Sequence, residues 1–394
     1  MEALVGYMDN GLTIASILLL TYSCTEPFEF EAEAFENVLI IDASITDEVK
    51  TQEVFLSRSF VSDETAVQES GAMVSIRDDM GVEYQFQEAE PGLYRSTIDF
   101  GAVEGRDYSL QVRTNDGDAY SSSMVTLPPK AEMAELEVVR TTNESGIDGV
   151  AILANGMGPA GEVGYYRYEY EETYRIVSPF ITFAELVVVS EDPPLLELNQ
   201  IDREQRICYN TVVSNVIAIT DTEGFSENRV SDFQVRFIPQ NDEIIASRYS
   251  ILVKQHTQSR EAHVFYETLR EFSGIENLFT QTQPGFINGN ISPDNDSGER
   301  ALGFFEVTSV TSQRVFFSFE DIFPNEVPFA PFCEIRTIDS RDPSLFNLIT
   351  SNRWRFLSIL PTDSDVILIY EIAPARCVDC SVFNTTVVPN FWED

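Results

Sequence analysis

Val74-Ser-Ile-Arg-Asp-Asp-Met-Gly-Val-Glu-Tyr-Gln-Phe86 alternates apolar and polar residues on either side of a turn. Val74 and Ile76 share one face before Asp78-Asp79-Met80-Gly81, and Val82, Tyr84 and Phe86 share one face after it. That period of two half-buries a strand. Tyr108, Leu110 and Val112 repeat it further on, and Pro91-Gly92 and Asn115-Asp116-Gly117-Asp118 separate the runs. Those turn residues adopt backbone angles that most side chains resist. Short strands at this spacing predict a sandwich rather than a parallel sheet.

Working outward, Gly105 followed by Tyr108-Ser-Leu-Gln-Val112 resembles the tyrosine-corner strand of immunoglobulin-like and fibronectin-like domains. The first domain is placed at residues 36–127 and ends at Pro128-Pro129, since two prolines cannot join a central ladder. From residue 131 to residue 394 the chain is again β-rich but less regular. Aromatic and β-branched residues crowd Tyr165 to Tyr170, Val212 to Thr220, Phe233 to Ile238, Tyr249 to Val253, Phe304 to Val307, Val315 to Phe319 and Val366 to Ile372. One helix interrupts them: Ser259 caps Arg260 to Phe272, where Ala262, Phe265, Tyr266, Leu269 and Phe272 recur at helical spacing before Gly274. Its apolar stripe reads as packing on a sheet. The predicted fold class is mainly β: an N-terminal immunoglobulin- or fibronectin-like β-sandwich, then a larger irregular β domain with one inserted helix.

Composition restricts the partners. The 394 residues carry 25 Lys plus Arg against 65 Asp plus Glu, a formal net charge of -40 at pH 7. Nucleic acid is excluded as a partner, because phosphate binding needs clustered basic residues. With 43% hydrophobic residues the chain is too apolar for a disordered acidic polymer, and its length suggests about two or three domains.

Residues 1–23 read as an export signal. The apolar core Leu12 to Leu20 is about half of the roughly 20 residues that a bilayer-spanning helix needs. Ser23 before Cys24 resembles the bacterial lipobox, with Cys24 as the lipidated mature N-terminus. Two features depart from that pattern: Thr21 stands where Leu is preferred, and Met1 to Gly11 holds no Lys or Arg. The competing reading is a buried strand beginning with an ordinary core cysteine. Residues 24–35 form an acidic tether, with Glu26, Glu29, Glu31 and Glu33 spaced along it. It is either a solvated linker or a surface-export signal of the kind Bacteroidota lipoproteins carry after the lipidated cysteine.

Several stretches together carry a family resemblance. Asn37-Val-Leu-Ile-Ile-Asp-Ala-Ser-Ile-Thr-Asp47, Arg248-Tyr-Ser-Ile-Leu-Val-Lys-Gln255, Gly289-Asn290-Ile291, Leu302-Gly-Phe-Phe-Glu306, Cys377-Val-Asp-Cys380 and Pro389-Asn-Phe-Trp392 occur in that order. The chain resembles, over nearly its whole mature length, the Bacteroidota outer-membrane lipoproteins collected as domain-of-unknown-function family 4249. Ala43-Ser44 departs from the glycine usual in the first strand. The resemblance implies an envelope lipoprotein associated with TonB-dependent outer-membrane transporters, and it implies no catalytic residue.

With Cys24 set aside for lipid, Cys208, Cys333, Cys377 and Cys380 remain, an even number with three possible pairings. Two disulfides are expected, and bonds from the C-terminal pair to Cys208 and Cys333 would constrain far more chain than a Cys377 to Cys380 bond. A zinc site or a redox pair at Cys377-Val-Asp-Cys380 is the rival reading.

Catalysis has little to work with. The only histidines, His256 and His263, sit beside no nucleophile motif, and no cofactor is expected. Asp294-Asn-Asp-Ser-Gly-Glu299 has a partial calcium-loop look at Asp294, Asp296 and Glu299, and otherwise reads as a surface turn. The leading expectation is a non-enzymatic, lipid-anchored outer-membrane lipoprotein, surface-exposed, acting as a binding or accessory subunit of a TonB-dependent transporter. The alternative is an envelope hydrolase of polysaccharide or peptide that uses carboxylates.

Overall fold

The opening stretch builds three neighbouring strands. Val74 sits directly across from Phe86 on one side and Val112 on the other, and Ile76 lies between Tyr84 and Leu110. Side chains opposite one another in an antiparallel pair share a face, so the alternation in sequence becomes one apolar surface. Val82 is the exception. It lies in the turn, exposed, and donates its N–H to Asp78 Oδ1 at 2.8 Å. The Tyr108 hydroxyl accepts a hydrogen bond from the Val103 N–H at 2.9 Å, which closes the predicted tyrosine corner.

The structure is a computed structural model, and it describes residues 38–59, 67–201, 206–273, 287–295, 300–361 and 368–393. The signal segment, Cys24 and the acidic tether lie outside the described residues, as do Gly274, Asp296 and Glu299. The fold is mainly β. A continuous sheet of fifteen strands runs from Ile207–Val213 at one edge, through Tyr165–Val177, Arg248–Thr257, Ala301–Ser318, Leu39–Thr46 and Glu53–Arg58, to Ile291–Pro293 at the other.

Near residue 127, at the expected boundary, the chain passes from one core to another, Leu127 belonging to the first and Ala131 to the second, but the fifteen-strand sheet takes strands from both sides. Leu39–Thr46 pairs in parallel with the first half of Ala301–Ser318, and Ile291–Pro293 pairs with Ala119–Ser122. The core around Ile41, Val54, Ile76 and Leu110 therefore includes Ile291, Ala301, Phe305 and Val307. The second half of Ala301–Ser318 pairs with Arg248–Thr257. That strand, its neighbour Tyr165–Val177 and a three-stranded sheet (Glu132–Thr142, Asp148–Met157, Arg229–Pro239) enclose a second core. One 18-residue strand thus belongs to both cores. Alternation read over short windows could not show this, because a parallel partner some 260 residues away leaves no local signal.

Two glycines make the junction possible. Gly303 has φ 147, and a Cβ there would collide with the Ile41 carbonyl. A Cβ on Gly289 would meet the Gly303 carbonyl. Between them, Asn290 uses its side-chain amide as a strand would use its backbone: Nδ2 donates to the Phe305 carbonyl and Oδ1 accepts from the Phe305 N–H, both at 2.8 Å. These contacts are the physical content of Gly289-Asn290-Ile291 and Leu302-Gly-Phe-Phe-Glu306. Ala43 stands fully buried in the first strand, where its methyl fills core space.

The predicted helix spans Arg260–Ser273, with Ser259 Oγ accepting from the Ala262 N–H at 3.1 Å. A second helix of useful length, Pro343–Thr350, was not foreseen; it starts at Asp342, whose carboxylate accepts from the Ser344 N–H at 2.8 Å. It packs with a three-stranded sheet (Arg336–Asp339, Ile369–Pro374, Trp354–Leu360) and the Ala184–Glu191/Pro194–Gln200 hairpin around Leu186, Leu345 and Ile372. Part of the Val366 to Ile372 expectation lies outside the described residues; the strand described there is Ile369–Pro374.

Candidate functional site

The five central strands have two unlike faces. On Leu39–Thr46, the odd positions Leu39, Ile41, Ala43 and Ile45 enter the core, so Ile40, Asp42, Ser44 and Thr46 point the other way. The same parity places Glu53 and Phe55, Phe304 and Glu306, His256, and Arg167 and Glu169 on that second face. The Arg260–Ser273 helix covers part of it, with Ala262 and Phe265 packed on Phe304. Between helix and sheet lies a cavity of about 710 Å³, lined by apolar side chains from the helix and by mixed polar ones from the strands.

Its floor is a buried ion network. Glu306 is 1% exposed and carries three contacts: its Oε1 pairs with Arg167 Nη2 and accepts from the Tyr266 hydroxyl at 3.3 Å, and its Oε2 accepts from Gln258 Nε2 at 2.9 Å; the Arg167 guanidinium also lies over the Tyr266 ring at 4.9 Å. Arg167 Nη1 pairs in turn with Glu169. Burial opposes the charge on Arg167, yet the Glu306 carboxylate holds its proton more tightly than usual. Burial also opposes the Glu169 charge, but the hydrogen bond from His256 and the Arg167 charge hold its carboxyl well below the usual range. Burial raises the Tyr266 hydroxyl, and the Glu306 charge adds to the rise, so it stays a neutral donor.

Asp42 behaves differently. It opens to the cavity yet sits deep among protein atoms, and that desolvation, then the neighbouring Glu306 charge, pushes its carboxyl up. Among the described residues, Asp42 has neither an ion-pair nor a hydrogen-bond partner. His256 links two other groups, with Nδ1 at 3.1 Å from Thr308 Oγ1 and Nε2 at 3.4 Å from Glu169 Oε2. The connectivity copies a hydroxyl, imidazole and carboxylate relay, but Thr308 is fully buried and no substrate can reach its oxygen.

The family described as Domain of unknown function (DUF4249) matches residues 25–314. The chain belongs to it. No curated protein matches the chain. Every cavity-lining residue, from Ile40 to Phe304, falls inside the DUF4249 segment, whereas Cys333, Cys377, Cys380 and Trp392 fall beyond it.

The structure joins Cys208 to Cys380 and Cys333 to Cys377, which fixes one of the three pairings. All four sulfurs are thereby committed, and among the described residues no cluster of three or more His, Cys, Asp or Glu side chains is placed to hold a metal. Trp392 stacks edge-on against Tyr209 and Phe316, and Phe391 lies under the Arg314 guanidinium at 3.6 Å. His263 is buried where the helix meets the sheet, 3.6 Å from Asp221 Oδ2; burial lowers its pKa against the pull of that carboxylate. Asp294 accepts from Ser121 Oγ at 2.5 Å and belongs to the strand end there.

Arg167, Glu169, Glu306 and Asp42 were not singled out in the sequence. A signal existed for one: Glu306 interrupts the apolar run Leu302 to Val307, and a carboxylate on a buried strand needs partners. Arg167 and Glu169 alternate with Tyr166, Tyr168 and Tyr170 as on any half-buried strand, and that pattern marks neither charge as special.

Proposed function

We propose that the protein is a Bacteroidota outer-membrane lipoprotein, anchored through lipid on Cys24 and displayed at the cell surface, which serves as the binding or accessory subunit of a TonB-dependent transporter. The observation that carries the binding part is the cavity of about 710 Å³, within the size range of small-molecule sites and built mainly on strands and one helix. The anchor rests on Leu12 to Leu20 followed by Ser23-Cys24, and the transporter partnership on the family resemblance. Mild-detergent pull-down from native outer membrane tests location and partner together. An outer-membrane barrel should co-purify with acylated protein. Recovery of unacylated protein from the soluble fraction would overturn the anchor, and recovery from the membrane without any barrel would overturn the partnership.

A second reading keeps one specific observation in its favour. Asp42 and Glu169 line the same cavity with their carboxyl groups pushed in opposite directions, as an acid and a base in carboxylate hydrolysis must be. Turnover of a polysaccharide or peptide that disappears in both Asp42→Asn and Glu169→Gln would establish it.

A further inference from the structure

We propose that the cavity takes a ligand bearing an amine or guanidinium on an apolar or aromatic body, with Asp42 as the residue that pairs with the cation. The charges around the cavity leave room for little else. Arg167 is committed to Glu306 and Glu169. Lys50 pairs with Glu48 at 2.8 Å, and Glu53 pairs with Arg95 at 2.8 Å. Asp42 is the lining carboxylate that nothing else answers. An anionic ligand would meet no uncommitted cation among the lining residues and would face Asp42 directly. A neutral one would displace the water that reaches the exposed Asp42 and leave its carboxylate without a partner, which costs more than pairing it.

The walls say what the rest of the ligand is. Ile40, Phe55, Phe265, Leu269, Leu302 and Phe304 give the cavity its apolar lining, and Phe55 and Phe304 lie directly across from Asp42 on the two neighbouring strands. Phe55 is 47% exposed although it is a large apolar side chain on a central strand. Aromatic faces attract cations as well as apolar surface, so they suit a ligand with both. The volume, about 710 Å³, accommodates a drug-sized molecule or the end of a short basic peptide.

The assignment rests on the binding reading above, and needs neither the anchor nor the transporter. Calorimetric titration of the purified lipoprotein in detergent, at roughly 0.15 M salt so that long-range attraction to the acidic surface is screened, compares benzoyl-arginine amide with benzoyl-citrulline amide. The two have the same shape, and a neutral urea replaces the guanidinium in the second. The arginine compound should bind on the order of tenfold more tightly, the scale of one charge-assisted hydrogen-bonded pair. Asp42→Asn should abolish that preference, Glu144→Gln on an exposed turn outside the cavity should keep it, and Phe55→Ala should weaken both compounds. Equal affinities, binding of neither compound, or a preference that survives Asp42→Asn overturns the proposal. Loss of the barrel from the pull-down would leave this result untouched, and a barrel that co-purifies with a cavity indifferent to charge would remove the ligand class alone.

Discussion

Between Leu39 and Ser318 the chain closes by pairing strands that are distant in sequence, while from Phe319 to Glu393 a small three-stranded sheet is supplemented by covalent crosslinks. The core around Ile41 and Leu110 in the first region has twenty-two buried side chains, whereas the clusters around Ile372 and Cys377 have six and three. Cys208–Cys380 ties the second region to the first across 172 residues, and Cys333–Cys377 closes 44 residues within the second. Around them the Ser178 hydroxyl donates to the Arg376 carbonyl and the Phe180 N–H to the Cys377 carbonyl, both at 2.9 Å. A region that buries enough apolar surface is stable without staples; one with thin clusters gains by restricting its unfolded chain. The cavity sits wholly on the first kind.

The sharpest way to break this comparison is at Gly303. Any side chain there collides with the Ile41 carbonyl and forces a φ of 147 on a residue with a Cβ. Gly303→Ala should cost more than about 4 kcal/mol, the range reserved for backbone strain and core overpacking, and should leave little folded protein. Denaturant unfolding of the variant checks it, and a midpoint near that of the parent chain would mean the two cores are not joined through this strand pair.

Next comes the ion network. Arg167→Met leaves Glu306 buried without its main cation, a change worth about 3–5 kcal/mol of destabilisation. Adding Glu306→Leu to it should restore most of that loss, because an apolar pair of similar volume needs no solvation. If the double variant stays as unstable as the single one, the network has a packing role that charge arithmetic does not capture.

How much of this was legible differs between the two faces of the same strands. Val74, Ile76, Tyr84, Phe86, Leu110 and Val112 announce their face by alternation, and the structure sets them across from one another. Ser259 and the stripe from Ala262 to Leu269 announce the helix in the same way. The opposite face carries no such pattern. Glu306 and Arg167 are 139 residues apart, and Asp42 enters the cavity only because Leu39–Thr46 pairs in parallel with Ala301–Ser318. Local periodicity reports which side of a strand is apolar; it says nothing of which polar sides are brought together.

Removing Cys208 and Cys380 together, each to Ser, tests the second region. The expected loss is about 2–4 kcal/mol, and it should be regional. Limited proteolysis should then cut the segment after Phe319 while the strands from Leu39 to Ser318 persist. Simultaneous loss of both regions would show that the crosslinks hold the whole molecule and not its C-terminal part.

The smallest expected effect bears on the cavity itself. Because burial and then Glu306 push the Asp42 carboxyl up from its ordinary 3.8, the folded chain binds that proton more tightly than the unfolded one. Its contribution is therefore most favourable below that ordinary value and declines as pH rises through the raised one. Glu169 runs the other way: held low, it contributes above its ordinary 4.5 and loses that contribution as pH falls. Asp42→Asn removes only the first of these. At neutral pH it should raise the unfolding midpoint slightly, by less than about 1 kcal/mol because solvent in the cavity screens the charge, and the gain should vanish in acid, where the parent carboxyl is protonated in both states. Thermal unfolding of the two proteins at neutral and acid pH measures it. A variant less stable than the parent at neutral pH would mean that Asp42 already has a partner in the free protein. A small gain would mean that the free protein keeps, at some cost in stability, a carboxylate whose partner has to come from outside.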